Sequence, residues 1–168
     1  MFIEIFAGQI LHSQQGLLTS LPVFLISIPV VNSVSGNIGS VLGARLASGL
    51  HVGYITHSFK DKEMHENLII SILIGFFTYF TLAIVIYFIA VFGGIIKDMN
   101  MIEFTGILIT TGFLLICLVA IVSVLTAFLS FKRGLDPDDM VAPVVTTVAD
   151  AMGIVFLIVV ISLFGVGI

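Results

Sequence analysis

Two runs of this 168-residue chain, 68–94 and 104–131, contain no charged residue and are apolar almost throughout. A helix rises about 1.5 Å per residue and a bilayer's hydrocarbon core is about 30 Å thick, so about 20 such residues cross it. Both runs read as lipid-facing spans with length to spare for tilt. Polar punctuation marks off three further apolar stretches, 3–31, 38–59 and 139–164, which brings the expected number of spans to five. The first is interrupted at His12, Ser13, Gln14, Gln15 and Gly16 and carries Pro22 and Pro29. It reads either as one long bent helix or as a short helix leading into a spanning one. The second is rich in Gly, Ala and Ser, which suits a helix that does not face lipid all round. Because the connections are short, the expected fold is an all-α membrane protein with one transmembrane domain over residues 1–168.

Composition supports the same class. The chain is 59% hydrophobic and 10% charged, with a mean hydropathy of +1.26, outside the range of soluble domains. The six Lys and Arg form no basic patch, so nucleic acid is not an expected partner and membrane lipid is. Cys117 stands alone, which excludes an intrachain disulfide and leaves a small packing residue. The start, Met1, Phe2, Ile3 and Glu4, has no basic flank and no cleavage pattern of a removed signal peptide. One set of connections holds Lys60, Lys62, Lys132 and Arg133, the other only Lys97. The positive-inside bias puts the first set in the cytoplasm. Five spans then place the N-terminus inside and the C-terminus outside.

Asp150 lies within an apolar run. If the last helix starts near Asp139, Asp150 is roughly 16 Å along its axis and near the bilayer midplane. A carboxylate there costs on the order of 3 kcal/mol on insertion scales, so it is expected to face an interior or a watery cavity and to bind cations. The competing reading is a structural carboxylate bonded to a neighbouring helix.

The second span carries two stripes. Gly39, Gly43 and Ala47 recur at spacing four, the small-residue pattern that lets helix backbones approach closely in lipid. Asn37, Ser40, Ala44, Ser48 and His51 follow at spacings of three and four and form a polar stripe. In the fifth span Pro143, Thr146, Thr147, Asp150 and Gly153 fall on one side by the same rule. The two helices together suggest an ion path. A dry, close-packed helix pair is the alternative. The path offers carboxylate, hydroxyl, amide and carbonyl oxygens without a Cys/His cluster, a set that suits hard cations. Mg²⁺ sheds water reluctantly and is held by one or two carboxylates, which one Asp per subunit doubled across a two-fold axis supplies. Alkali ions satisfy the same oxygens.

Pro29, followed by Gly36, Asn37 and Gly39 and then by Arg45, Leu46, Ala47, Ser48 and Gly49, resembles a signature of the MgtE-type magnesium channels. Leu135, Asp136 and Pro137, followed by Ala142, Pro143, Val144, Val145, Thr146, Thr147, Asp150 and Gly153, are similar to that family's last helix. The resemblance implies a homodimer with the pore at the subunit interface, lined by the second and fifth helices. It further implies that Asp150 binds hydrated Mg²⁺, with the Thr146 backbone carbonyl one turn earlier and Asn37 as further contacts. Ser40, Ala44, Ser48, Pro143, Thr147 and Gly153 are expected along the pore. Ser35 before Gly36 and Val41 after Asn37 depart from the bacterial pattern of Gly-Gly-Asn with a later Gln, and lean towards the archaeal and eukaryotic solute-carrier branch. The soluble Mg²⁺-sensing domains of bacterial members have no counterpart in this sequence.

Asp136, Asp138 and Asp139 surround Pro137 at the entry to the fifth span. They read either as acids attracting cations to the inner mouth or as helix caps. His57, Asp61, Glu63, His65 and Glu66 read as a cytosolic metal cluster or as a solvated loop. Arg45 is expected to be buried or half-buried and to pair with Asp138 or Asp139. No enzyme is expected, since an aspartyl protease needs two carboxylates and one is present at depth. The expected activity is Mg²⁺ transport across the cell membrane, with Mn²⁺ or Co²⁺ as further ions. A non-conducting accessory subunit, a Na⁺-coupled exchanger and a heterodimer with a paralogous domain are the alternatives.

Overall fold

Hydrocarbon offers the backbone no hydrogen-bonding partner, which leaves helices or closed barrels as the structures able to cross it. A computed structural model of the chain describes residues 2–13, 16, 19, 21–96 and 99–165, and among these the secondary structure is helical, without strands. The helices are α1 (Phe2–Ser13), α2 (Pro22–Val52), α3 (Lys62–Phe92), α4 (Met101–Lys132) and α5 (Pro137–Leu163). The last four are long and apolar enough to cross a membrane, while α1 has 12 residues. Lys97 lies outside the described residues.

This differs from the expected partition of 3–31 and 38–59. The first stretch does divide, into short α1 and a helix that starts with Pro22 in its first turn, where a missing N–H costs nothing. No break follows at residues 32–37, however, because α2 runs through them unbroken. Polar residues that resemble a loop in sequence find partners between or along helices. Asn32 reaches α5, Ser35 reaches Tyr79 of α3, and Ser40 bonds back to the Gly36 carbonyl.

Helix ends follow local chemistry. Asp61 caps α3, accepting from the Met64 N–H at 3.1 Å and from the N–H and hydroxyl of Thr56. Those bonds hold its carboxyl at about 2, below the ordinary 3.8. Asp136 caps α5 by accepting from the Asp138 N–H at 3.0 Å. Helix α2 ends at Gly53, whose φ of 85° is the left-handed conformation that glycine adopts without strain.

Helix α2 packs against α3, α4 and α5, α4 also packs against α3 and α5, and α1 rests on α5. Since lipid tails are as apolar as the side chains, association depends on close packing and interhelical hydrogen bonds rather than on escape from water. A Cβ on Gly39 would strike Val119 of α4 and Val145 of α5, and one on Gly43 would lie 2.8 Å from the Val141 Cβ. The expected close approach along this stripe is therefore present, within one chain and against α4 and α5. Ser123 of α4 seals it by donating to the Gly39 carbonyl at 2.8 Å. Tyr79 stands over Gly112, and its hydroxyl joins Ser35 and the Val31 carbonyl.

Candidate functional site

The outward side of α2 begins where the glycine stripe ends. Asn37, Ala44, Ser48 and His51 are exposed and Ser40 is half-buried. On α5, Pro143 and Asp150 are exposed, and Thr146 and Thr147 are half-buried. Close approach of the two helices is direct at this level: a Cβ on Gly36 would lie 3.3 Å from Thr146 Cγ2 and 3.8 Å from the Ala149 Cβ. The polar faces of α2 and α5 thus adjoin, and both open outward from the chain.

The hydroxyls of Ser40, Thr146 and Thr147 spend their protons on their own helices. Ser40 donates to the Gly36 carbonyl at 2.8 Å, Thr146 to Ala142 at 2.9 Å, and Thr147 to Pro143 at 2.8 Å. The oxygens that face outward are consequently acceptors, the polarity a cation or its water shell needs. Asn37 makes a long contact of 3.5 Å from Nδ2 to Ser33 Oγ. Asp150 is 13 residues into α5, roughly 20 Å along its axis, and so near the middle of a helix of 27 residues.

Towards the amino end of α5, α2 and α5 frame a cavity of about 410 Å³ lined by Ser40, Val41, Ala44, Asp138, Val141 and Ala142. Asp138 is the expected inner-mouth acid that this cavity includes. Asp136 turns to the helix cap, and Asp139 is exposed. Gly153 is buried against Asn32 and Leu115, on the packed side of α5. It stands apart from the exposed polar surface on which its spacing had placed it, because 153 lies about 60° round the helix from 150, on the flank that turns towards buried Val145 and Ala149.

Arg45 does not pair as expected. It is exposed, and no ion pair joins it to Asp138 or Asp139 among the described residues. One position round the helix from Ala44, it turns towards α3, onto a cavity of about 170 Å³ shared with Asn37, Ile38, Val41, Ser71 and Ile74.

In the connection between α2 and α3, His57 contacts the Phe128 carbonyl at 2.9 Å through Nε2, and at the start of α3 Lys62 pairs with Glu66 at 3.3 Å. Among the described residues no three His, Cys, Asp or Glu side chains come together. Sequence reasoning passed over Val141 and Asn32, and it named Val41 and Ala142 for the family pattern without placing them on the cavity wall. Asn32 was open to discovery, since 32, 36, 39 and 43 share the glycine stripe's spacing.

Comparison with curated protein sequences finds no match. A protein-family model, MgtE, described as a divalent cation transporter, matches residues 28–160, which takes in α2 from just before Pro29 through most of α5. Four membrane-length helices, an outward oxygen face on α2 and α5, and this match across most of the chain agree: the chain belongs to the MgtE family of divalent cation transporters.

Proposed function

We propose that the chain carries Mg²⁺ across the cell membrane as a largely hydrated ion, past a site centred on Asp150. The observation that carries this reading is the exposed Asp150 at mid-helix, next to an outward face of oxygen acceptors on α2 and α5. Such a surface is costly against lipid, and a second copy of the chain facing it would enclose a wet path between the two. Two Asp150 carboxylates then meet one ion through its retained water. The Thr146 carbonyl and Asn37 are the further contacts, and Ser40, Ala44, Ser48, Pro143 and Thr147 line the way. Asp138 draws cations to the mouth.

In this arrangement Mn²⁺ and Co²⁺ compete with Mg²⁺, and Ca²⁺, larger and better served by more ligands, competes less. The test is Mg²⁺ uptake by the purified chain in liposomes. Saturable uptake in wild type and its loss in folded Asp150→Asn support the reading. Wild-type uptake by the folded variant, or equal competition by Ca²⁺, sinks it.

A further inference from the structure

Asn32 lies on the side of α2 that packs into the bundle, and is 7% exposed. Its Nδ2 donates to the main-chain carbonyl of Asp150 at 3.1 Å, across the interface between α2 and α5. A helical carbonyl keeps one lone pair beyond its ladder bond, so the amide adds to the helix without breaking it. The other end of the amide is unusual. Oδ1 has no hydrogen-bond partner among the described residues and fills the space that a side chain at position 153 would take.

Burying an acceptor without a partner is unfavourable, and an apolar side chain of similar volume would avoid that penalty. Packing alone therefore does not account for an amide here. What the amide does provide is a grip on the backbone of the residue whose carboxylate is exposed. Such a grip is useful to α5, because Pro143, seven residues before Asp150, lacks the N–H that would close the ladder onto the Asp139 carbonyl. A helix loosened there has latitude to turn about its axis. Functional groups must be held within about 0.5 Å and 10–20° of their working geometry, a tolerance that a second anchor beyond Pro143 helps to keep.

We propose that Asn32 is a positioning residue for the cation site: its amide, seated on Gly153 and bonded to the Asp150 carbonyl, sets the rotation of α5 that aims the Asp150 carboxylate into the path. The inference rests on the Asp150 reading above. It assigns Gly153 a role as the seat of the amide, since any Cβ there would displace Oδ1.

The experiment measures Mg²⁺ uptake against Mg²⁺ concentration for the full chain in liposomes. Asn32→Leu keeps the volume and removes the donor. Its half-saturating Mg²⁺ concentration should rise about ten-fold, the scale of lost support behind a metal ligand, with the maximal rate within about two-fold of wild type. Gly153→Ala should produce the same shift and add little in an Asn32→Ala background, because both changes remove one contact. Asn32→Ser, too short to reach the carbonyl, replaces Asn32→Leu if the latter fails to fold. A folded Asn32 variant with wild-type half-saturation overturns the proposal, as do additive effects of Asn32→Ala and Gly153→Ala. Asp150→Asn in the same assay separates the two readings. Loss of uptake there with a normal Asn32→Leu overturns the positioning role alone, whereas wild-type uptake by folded Asp150→Asn overturns both.

Discussion

Helices α2 and α3 are the same length, 31 residues each, and use glycine differently. On α2 Gly39 and Gly43 face two neighbours at once, and a Cβ on Gly43 meets not only the end of Val141 but also its Cβ, which cannot rotate away. On α3 the buried positions are Met64, Ser71, Gly75, Tyr79, Ala83 and Ala90, a single narrow stripe, while Phe77, Ile89 and Phe92 face out. A Cβ on Gly75 meets first the Cδ1 of Ile116, the mobile tip of a long side chain. Tight packing on α2 is built into branched, backbone-near atoms; on α3 it rests on atoms with room to adjust. A polar outer face then distinguishes α2 from α3 a second time.

The sharpest division between the two halves is in transport. Asp150→Asn should reduce Mg²⁺ uptake by more than about ten-fold in folded protein, whereas no single change on the outer face of α3, such as Phe77→Leu, should alter it by more than about two-fold. A comparable loss from α3 would dissolve the comparison. Packing supplies the next test. Gly43→Ala should cost about 1–3 kcal/mol through overpacking, while Gly75→Ala should be nearly neutral, since Ile116 can yield and alanine favours the helix. Thermal unfolding in detergent reads both. Gly43→Leu should damage uptake as well, and Gly75→Leu is itself disruptive because position 75 is buried.

Smaller effects refine the picture. Tyr79→Phe removes the hydroxyl that links α3 to Ser35 and the Val31 carbonyl, and should lower stability by about 1–2 kcal/mol with uptake largely retained. Asp61→Ala should fray the first turn of α3, seen as faster amide exchange at Met64, and leave transport close to wild type. The Asp61 carboxyl is held at about 2 against an ordinary 3.8. Its contribution is therefore complete above 3.8 and fades as pH falls through about 2. Wild type should show that acid loss of protection in the first turn, and Asp61→Ala should not.

Much of this was legible in the residues. Charge-free runs named α3 and α4, Gly39 and Gly43 announced a close approach, and the motifs around Asn37 and Asp150 carried the family. The bounds of α2 were not legible, because Asn32 and Ser35 look like part of a connection until their partners on α5 and α3 are known. Hydropathy likewise made Gly75 look lipid-facing, since it averages over a helix and cannot resolve one buried stripe. The rotation that puts Gly153 inside and turns Arg45 towards α3 depends on how helices sit against each other, which spacing within one helix leaves open.

Three contacts that join the helices, Asn32 to Asp150, Ser123 to Gly39 and Tyr79 to Val31, all end on main-chain carbonyls. Every residue carries that acceptor, whatever its side chain. Substitution at 32, 123 or 79 thus cuts a bond, while substitution at 150 or 31 leaves the carbonyl in place; at 39 the carbonyl also survives, but a side chain there strikes Val119 and Val145. In the proposed reading, Asp150 is thereby free to answer to the ion alone. Its carboxylate can be exchanged without undoing the joint that holds its backbone, so selection on chemistry and selection on architecture act at this residue through different atoms.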